Sequence, residues 1–127
     1  MDLYLINRNK MPMIPLPSHE AFEAMLKPRK PTEDGIIHTY PQWVCISFSA
    51  KWCGPCKRLD KEAIVSSSQN VVWYSCDVDE NTNTLGFCGL HSIPGFCLIH
   101  NGTFKDRKSG ASSVQEVLDW LRSNGVL

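Results

Sequence analysis

The chain has 127 residues, with 13 basic and 13 acidic side chains and no formal net charge. Hydrophobic residues make up 43% and charged residues 20%, which excludes a disordered or low-complexity chain and suits one compact domain with a real core. The even charge balance argues against a nucleic-acid or polyanion surface, because phosphate binding needs clustered Lys and Arg.

The opening stretch "MDLYLINRNKMPMIPLP" has an acidic second residue, no basic leader and an apolar run broken by Asn, Arg and Lys. It does not read as a signal peptide. No stretch approaches the roughly 18 apolar residues of a membrane span. A cytoplasmic protein without membrane attachment is therefore expected. Its six cysteines, at 45, 53, 56, 76, 88 and 97, would sit in a reducing compartment. There a close pair is catalytic or metal-binding rather than a structural staple.

Residues 1–12 read as a tail and 13–127 as a single domain. "MIPLP" is a short extended piece, limited by Pro15 and Pro17 to an edge or irregular strand. Ser18 caps a helix over 19–26, with Phe22, Met25 and Leu26 facing inward. Residues 27–42, rich in proline and mixed charge, form a long loop. "WVCISFSA" is apolar and β-branched enough for a strand buried on both faces. A helix starts near Cys56 and continues through "CKRLDKEAIV", with Leu59, Ala63 and Ile64 on one face. "VVWYSCDVD" is a second central strand, and "NTNTLGFCGL" a short helix weakened by glycine. "GFCLIH" and "TFKDRK" are strands joined by an Asn-Gly hairpin turn. Ser113 and Glu116 make a capping box for a last helix bearing Val114, Val117, Leu118 and Leu121, which Asn124-Gly125 ends. The order β-α-β-α-β-α-β-β-α implies an α/β fold: a central mixed sheet flanked by helices on both faces, in three layers.

The chemistry centres on "SFSAKWCGPCKRLD", residues 47–60. Cys53 falls at a strand end and Cys56 in the first helical turn. A helix N-terminus offers unpaired N–H groups and a positive partial charge, which favour a thiolate. Gly54 allows a tight turn, and Pro55 loses nothing in the first turn, where its missing N–H has no partner to find. The predicted reaction is thiol–disulfide exchange: Cys53 attacks a substrate disulfide and Cys56 resolves the mixed disulfide. Trp52 forms an apolar wall beside Cys53. A zinc site would need two further ligands, and a second C-x-x-C is absent; His91 or His100 would have to join. No metal is assigned.

These residues resemble the thioredoxin family. "WCGPCK" matches the family's active-site motif residue for residue, and "FSAKWCGPCK" widens the match. "NVVWYSCDVDEN", "SIPG" and "NGTFKDRKSGA" follow in the family's order and spacing. The resemblance covers roughly residues 13–127 and implies a thioredoxin fold and a protein-disulfide reductase. It also implies that Ile93-Pro94 is cis opposite the two cysteines, although X-Pro bonds are mostly trans. Ile93, Pro94 and Gly110 would then join Trp52, Gly54 and Pro55 in a substrate groove. No bound cofactor is implied, since the electrons travel in the dithiol. The implied partners are protein disulfides and a thioredoxin reductase or other dithiol donor, with the chain acting as a monomer.

The departures from the family pattern carry expectations of their own. Ser47 stands where the family usually has a buried Asp, and Ser75 where it has the partner Lys. Losing both together avoids an unpaired buried charge. It leaves Ser47 as a proton relay that cannot hold charge near neutral pH. Lys61 replaces the proline that kinks the following helix, which predicts a straighter helix. Gly95 replaces the usual Thr, which predicts a looser loop. Cys88, in the short helix, is a candidate regulatory thiol if exposed. Cys45, Cys76 and Cys97 read as inert core residues. Trp43, Trp73 and Trp120 read as packing residues, and His38, His91 and His100 as surface residues. Asp77 and Asp79 read as a solvated turn. An alternative from another class is an interaction module that holds one partner in the same groove with little turnover. The missing Asp–Lys pair favours it and the intact pair of sulfurs disfavours it.

Overall fold

The computed structural model describes residues 13–26 and 43–127. The expected tail over 1–12, and the loop over 27–42 with His38, lie outside the described residues. The elements in chain order are β1 (Ile14–Pro15), α1 (His19–Met25), β2 (Trp43–Ser49), α2 (Gly54–Arg58), α3 (Lys61–Ser66), β3 (Val71–Asp77), α4 (Thr84–Phe87), β4 (Gly95–His100), β5 (Thr103–Ser109) and α5 (Val114–Ser123).

The five strands form one sheet in the order β1-β3-β2-β4-β5. β2 and β3 run parallel, as do β1 and β3, while β4 is antiparallel to both β2 and β5. Side chains alternate across such a sheet, and the nearly continuous apolar runs of β2 and β4 feed a core on each face. Trp43 and Cys45 of β2 join Trp73, Phe96 and Leu98 in one core, covered by Leu59 just after α2, Ile64 of α3, and Val117 and Leu121 of α5. Ile46 and Phe48 turn the other way and join Cys76, Cys97 and Ile99 under Phe22 of α1 and the Cys88–Leu90 segment after α4. Helices on both faces make the three-layer arrangement that the alternating elements predicted.

The local signals mostly act as read. Ser18 Oγ accepts from the Ala21 N–H at 3.1 Å and starts α1, whose Phe22 is fully buried. Pro15 confines β1 to two residues at the sheet edge. Asn101 and Gly102 both take positive φ, 51° and 78°, as the hairpin turn requires. Ser113 Oγ accepts from the Glu116 N–H at 3.2 Å, but the Glu116 carboxylate reaches the N–H of Ser112 rather than Ser113. The helix ends in a Schellman pattern, with Val126 N–H donating to Leu121 O and Gly125 N–H to Arg122 O, both at 3.0 Å. Val126 and Leu121 thereby enter one core.

Two expectations about the family departures are corrected. The helix after Cys56 is not straighter. It stops at Leu59, whose ψ of 120° is extended, and restarts after Asp60, which caps α3 by accepting from the Ala63 N–H at 3.0 Å. A capping carboxylate breaks the helix without any proline, because it offers the next turn a better start than continuation does. The chain at Gly95 is not loose either: it is buried, and a Cβ there would lie 3.0 Å from Ser92 O and 3.3 Å from Leu90 Cδ1. Close approach of the Ser92 carbonyl and the Leu90 side chain favours glycine.

Candidate active site

The parallel pairing of β2 and β3 sets Ser49 beside Asp77, so both strands end at the same edge of the sheet. The chain leaves β2 through Ala50, whose carbonyl accepts from the Cys53 N–H at 3.1 Å. That turn places Cys53 as the N-cap of α2, with Pro55 in the first turn. The Cys56 N–H points at Cys53 Sγ at 3.2 Å. A sulfur takes the role that a Ser or Asp oxygen plays at other helix starts, so the helix end bears directly on the reactive atom.

Cys53 and Cys56 are joined as a disulfide, with Cα atoms 5.3 Å apart. Both sulfur-bearing residues are nearly covered, at 3% and 1% exposure. Position therefore distinguishes them more than burial: Cys53 is outside the helix and Cys56 inside it. Ala50 completes their small cluster, with Val78 and Ile93 packed against it.

Ile93 belongs to the opposing loop. The Ile93-Pro94 bond is cis. Pro94 O accepts from the Gly110 N–H at 2.8 Å, and Gly110 has φ of 76°, which favours glycine. One hydrogen bond thus fixes Gly110 to the proline loop, and Ile93 packs against the cysteine cluster. Gly54 is half-buried and Pro55 exposed, both on the outer side of the same turn.

Trp52 is 68% exposed, and its indole N–H donates to Asp79 Oδ2 at 2.8 Å. Asp77 Oδ1 in turn accepts from the Asp79 N–H at 2.9 Å. Asp79, read from the sequence as part of a solvated turn, is the residue that orients Trp52. The parallel strand ends held the signal for it: residues just beyond β2 and β3 must meet at one edge. Among the described residues no cluster of three His, Cys, Asp or Glu could hold a metal.

Ser47 and Ser75 are register partners on β2 and β3, so the two departures from the family pair do face one another. Ser47 is 1% exposed and its Oγ finds no hydrogen-bond partner among the described residues. An unpaired buried hydroxyl costs about 1–3 kcal/mol, which singles this position out.

The other cysteines are buried and free. Burial holds the Cys45 thiol well above its ordinary range, opposed only in part by hydrogen bonding with the Cys97 and Ile46 backbone. Burial, the charge of Asp77 and the neighbouring Cys88 push Cys76 up to about 11. Cys88 is only 3% exposed and packs in the core over β4, not on the active-site surface. Trp73 packs edge-on against Phe96 and donates to Ser68 Oγ at 2.8 Å. Of the histidines, His91 is exposed, whereas His100 is half-buried and stacks on Trp43 at 3.9 Å.

The thioredoxin family profile matches residues 29–123. The thioredoxin of Rickettsia conorii is 37% identical over 84 residues, covering 64% of this chain and 80% of that protein. The channel catfish Ictalurus punctatus thioredoxin is 36% identical over 73 residues, covering 54% of this chain and 68% of that protein. Among solved structures, Fasciola hepatica thioredoxin superposes with a TM-score of 0.69 at 23% identity, over 88% of this chain and 99% of that one. At that identity the structural likeness speaks for the fold, and the profile and sequence relatives for the family. With the cysteine pair at the head of a helix and the cis-proline loop against it, the chain belongs to the thioredoxin family of thiol–disulfide oxidoreductases, and its activity is protein-disulfide reduction.

Proposed function

We propose that Cys53 is the attacking thiolate and Cys56 the resolving thiol. In the reduced protein the Cys56 N–H, now 3.2 Å from Cys53 Sγ, would stabilise negative charge on that sulfur. Cys53 Sγ attacks one sulfur of a substrate disulfide; the new S–S bond forms as the old one breaks, and the departing substrate sulfur takes up a proton. Cys56 then loses its proton and attacks Cys53 Sγ, releasing the second substrate thiol and forming the Cys53–Cys56 disulfide. Two electrons pass from the protein to the substrate.

The substrate lies in a groove of Trp52, Gly54, Pro55, Ile93, Pro94 and Gly110, with the Ile93 backbone as the pairing edge for an extended segment. Ser47 serves as a proton relay to Cys56 through a water, since its own hydroxyl cannot stay ionised near neutral pH. A thioredoxin reductase or another dithiol donor returns the pair to the reduced state. The protein works as a cytoplasmic monomer with no bound cofactor. It has no nucleic-acid or membrane partner. Residues 13–127 act as one domain behind the 1–12 tail.

The observation that carries this reading is the cap: Cys53 is the helix N-cap and its own sulfur is the capping acceptor. The test is the reduction potential of the Cys53–Cys56 pair, read by alkylation and mass spectrometry in defined redox buffers. The expected value is about −270 mV, the established thioredoxin value, against about −180 to −120 mV for isomerase and oxidant relatives. A value in the second range overturns the reductase assignment of roles. A pair that cycles but turns over substrate far more slowly than its potential allows would favour the interaction-module reading, for which uncharged Ser47 and Ser75 in place of the family's Asp and Lys speak.

A further inference from the structure

The dipeptide Asn-Gly occurs twice in the chain, at 101–102 and at 124–125. It is a chemically labile pair. The glycine amide nitrogen can close a five-membered ring on the asparagine side-chain carbonyl carbon, and glycine has no Cβ to obstruct the approach. Asn81 and Asn83 are each followed by Thr, and Asn70 by Val, whose branched side chains crowd the same approach.

The fold treats the two copies differently. Asn124 is the C-cap of α5. Its Nδ2 donates to Asp106 Oδ2 and to Trp120 O, both at 3.0 Å. The Gly125 N–H, the group that would have to attack, donates to Arg122 O at 3.0 Å. Ring closure there must first break these three hydrogen bonds, beside a Val126 that is buried in the core. Asn101 is instead the exposed tip of the β4–β5 hairpin, with φ of 51°, and Gly102 follows at 78°. Among the described residues nothing hydrogen-bonds the Asn101 side chain or the Gly102 N–H. The strands below the tip are held unequally. On β4, Ile99 is buried and His100 stacks on Trp43. On β5, Thr103 and Phe104 are exposed. The register shift at Leu98 and Ile99 leaves two pairs, Ile99 with Phe104 and His100 with Thr103, between it and the tip. Ring closure rotates the Asn101–Gly102 peptide. The β5 side can follow that rotation while β4 stays anchored, and such local opening costs only part of the global stability.

We propose that Asn101 is a modification site of this protein: it converts spontaneously to aspartyl and isoaspartyl residues through a succinimide, while Asn124, in the same dipeptide, is protected by the fold. The Gly102 amide nitrogen gives its proton to hydroxide and attacks Asn101 Cγ. The new C–N bond forms, the Cγ–Nδ2 bond breaks, and Nδ2 takes a proton from water and leaves as ammonia. Water then adds to one of the two ring carbonyls. Addition at Cγ breaks the new C–N bond and yields aspartate in an unchanged backbone. Addition at the backbone carbonyl breaks the original peptide bond and leaves the chain running through Cγ, as isoaspartate. Nothing is oxidised or reduced. Either product places a carboxylate at the tip. The isoaspartyl product also adds a backbone carbon to a two-residue turn, so Thr103 cannot keep its present register with His100.

The test uses the full-length protein, aged in mildly alkaline buffer and sampled by peptide mapping with mass spectrometry. Each conversion adds one mass unit, and electron-based fragmentation separates aspartyl from isoaspartyl. A parallel sample ages in denaturant. In the folded protein Asn101 should convert faster than Asn124 by about tenfold or more, because only Asn124 waits for a helix end to open. In denaturant the two rates should converge, since the dipeptides are identical. Equal rates in the folded chain, faster conversion at Asn124, or an Asn101 that converts only in denaturant would each overturn the proposal. So would a gap that persists in denaturant, which would put the difference in the flanking sequence and not in the fold.

Discussion

Two pairs of cysteines lie in this domain, and they are built in opposite ways. Cys53 and Cys56 sit on one turn, at the start of a helix where the Cys56 N–H reaches Cys53 Sγ, and are found as a disulfide. Cys88 and Cys97 come from separate elements, lie in one core, and are found as free thiols. In the first pair the backbone supplies the charge stabilisation. In the second the sulfurs are surrounded by apolar core residues, Phe48, Leu90 and Ile99 among them. The lesson is that thiol chemistry follows what surrounds the sulfur more than how near two cysteines are in sequence.

The sharpest way to break this comparison is to remove a sulfur from each pair. Cys53→Ser should lower disulfide-reductase turnover by about 100-fold or more, because no other group on that turn is a comparable nucleophile. Cys88→Ser and Cys97→Ser should each leave turnover within about twofold under reducing conditions, as both lie outside the groove. An insulin-reduction assay measures all three. Comparable losses from both pairs would erase the distinction drawn here.

A smaller effect tests the turn beside the second pair, where Gly89 follows Cys88 with φ of 76°. Gly89→Ala should cost about 1–2 kcal/mol in denaturant unfolding, since an L side chain at positive φ is strained. It also drives Cβ into Arg107. Adding Arg107→Ala should recover only the collision, leaving the strain of the backbone in place. Full recovery would mean that contact alone selects the glycine.

Smaller still is the expected change beneath the first pair. Ser47→Asp should add a second titratable group beneath the pair and change the reduction rate across about pH 6–9 relative to the wild-type chain. Superimposable profiles for the two proteins would remove Ser47 from the proton path.

The smallest effect concerns Asp106, which precedes Arg107 on β5 and faces the other side of the sheet. Partial burial raises its carboxyl. Hydrogen bonds from the Asn124 and Trp120 side chains and the Arg107 N–H, with the charge of Lys105, more than offset that and hold it below the usual carboxylate range. A depressed folded-state value means that the stabilisation is present above the unfolded value of about 3.9 and is lost as pH falls through the folded value. Asp106→Asn should therefore cost about 0.5 kcal/mol near neutral pH, discounted for solvent screening, with the gap closing in acid. Thermal unfolding of both proteins at two pH values measures it.

The fold was legible wherever a local signal fixed the backbone. Ser18, Ser113 and Asn101-Gly102 placed two helix starts and a hairpin, and the nearly unbroken apolar run of β2 placed the core. The CGPC turn announced its own chemistry. What sequence order hid were meetings between distant segments: Trp52 with Asp79 and Trp43 with His100. Each depends on strand order and register, which local pattern does not encode. The break at Asp60 was missed for another reason. Lys61 drew attention to the lost proline, while the capping carboxylate beside it restarts the helix unaided.

The two flanks of the sheet bear on how the protein behaves when crowded. One flank is a two-residue strand interrupted by Pro15; the other is β5, carrying Lys105, Arg107 and Lys108 and opposite a register shift at Leu98 and Ile99. Proline, charge and an irregular ladder each make a poor template for an incoming strand. The sheet is thereby guarded at both sides against growing by edge-to-edge addition into fibrils.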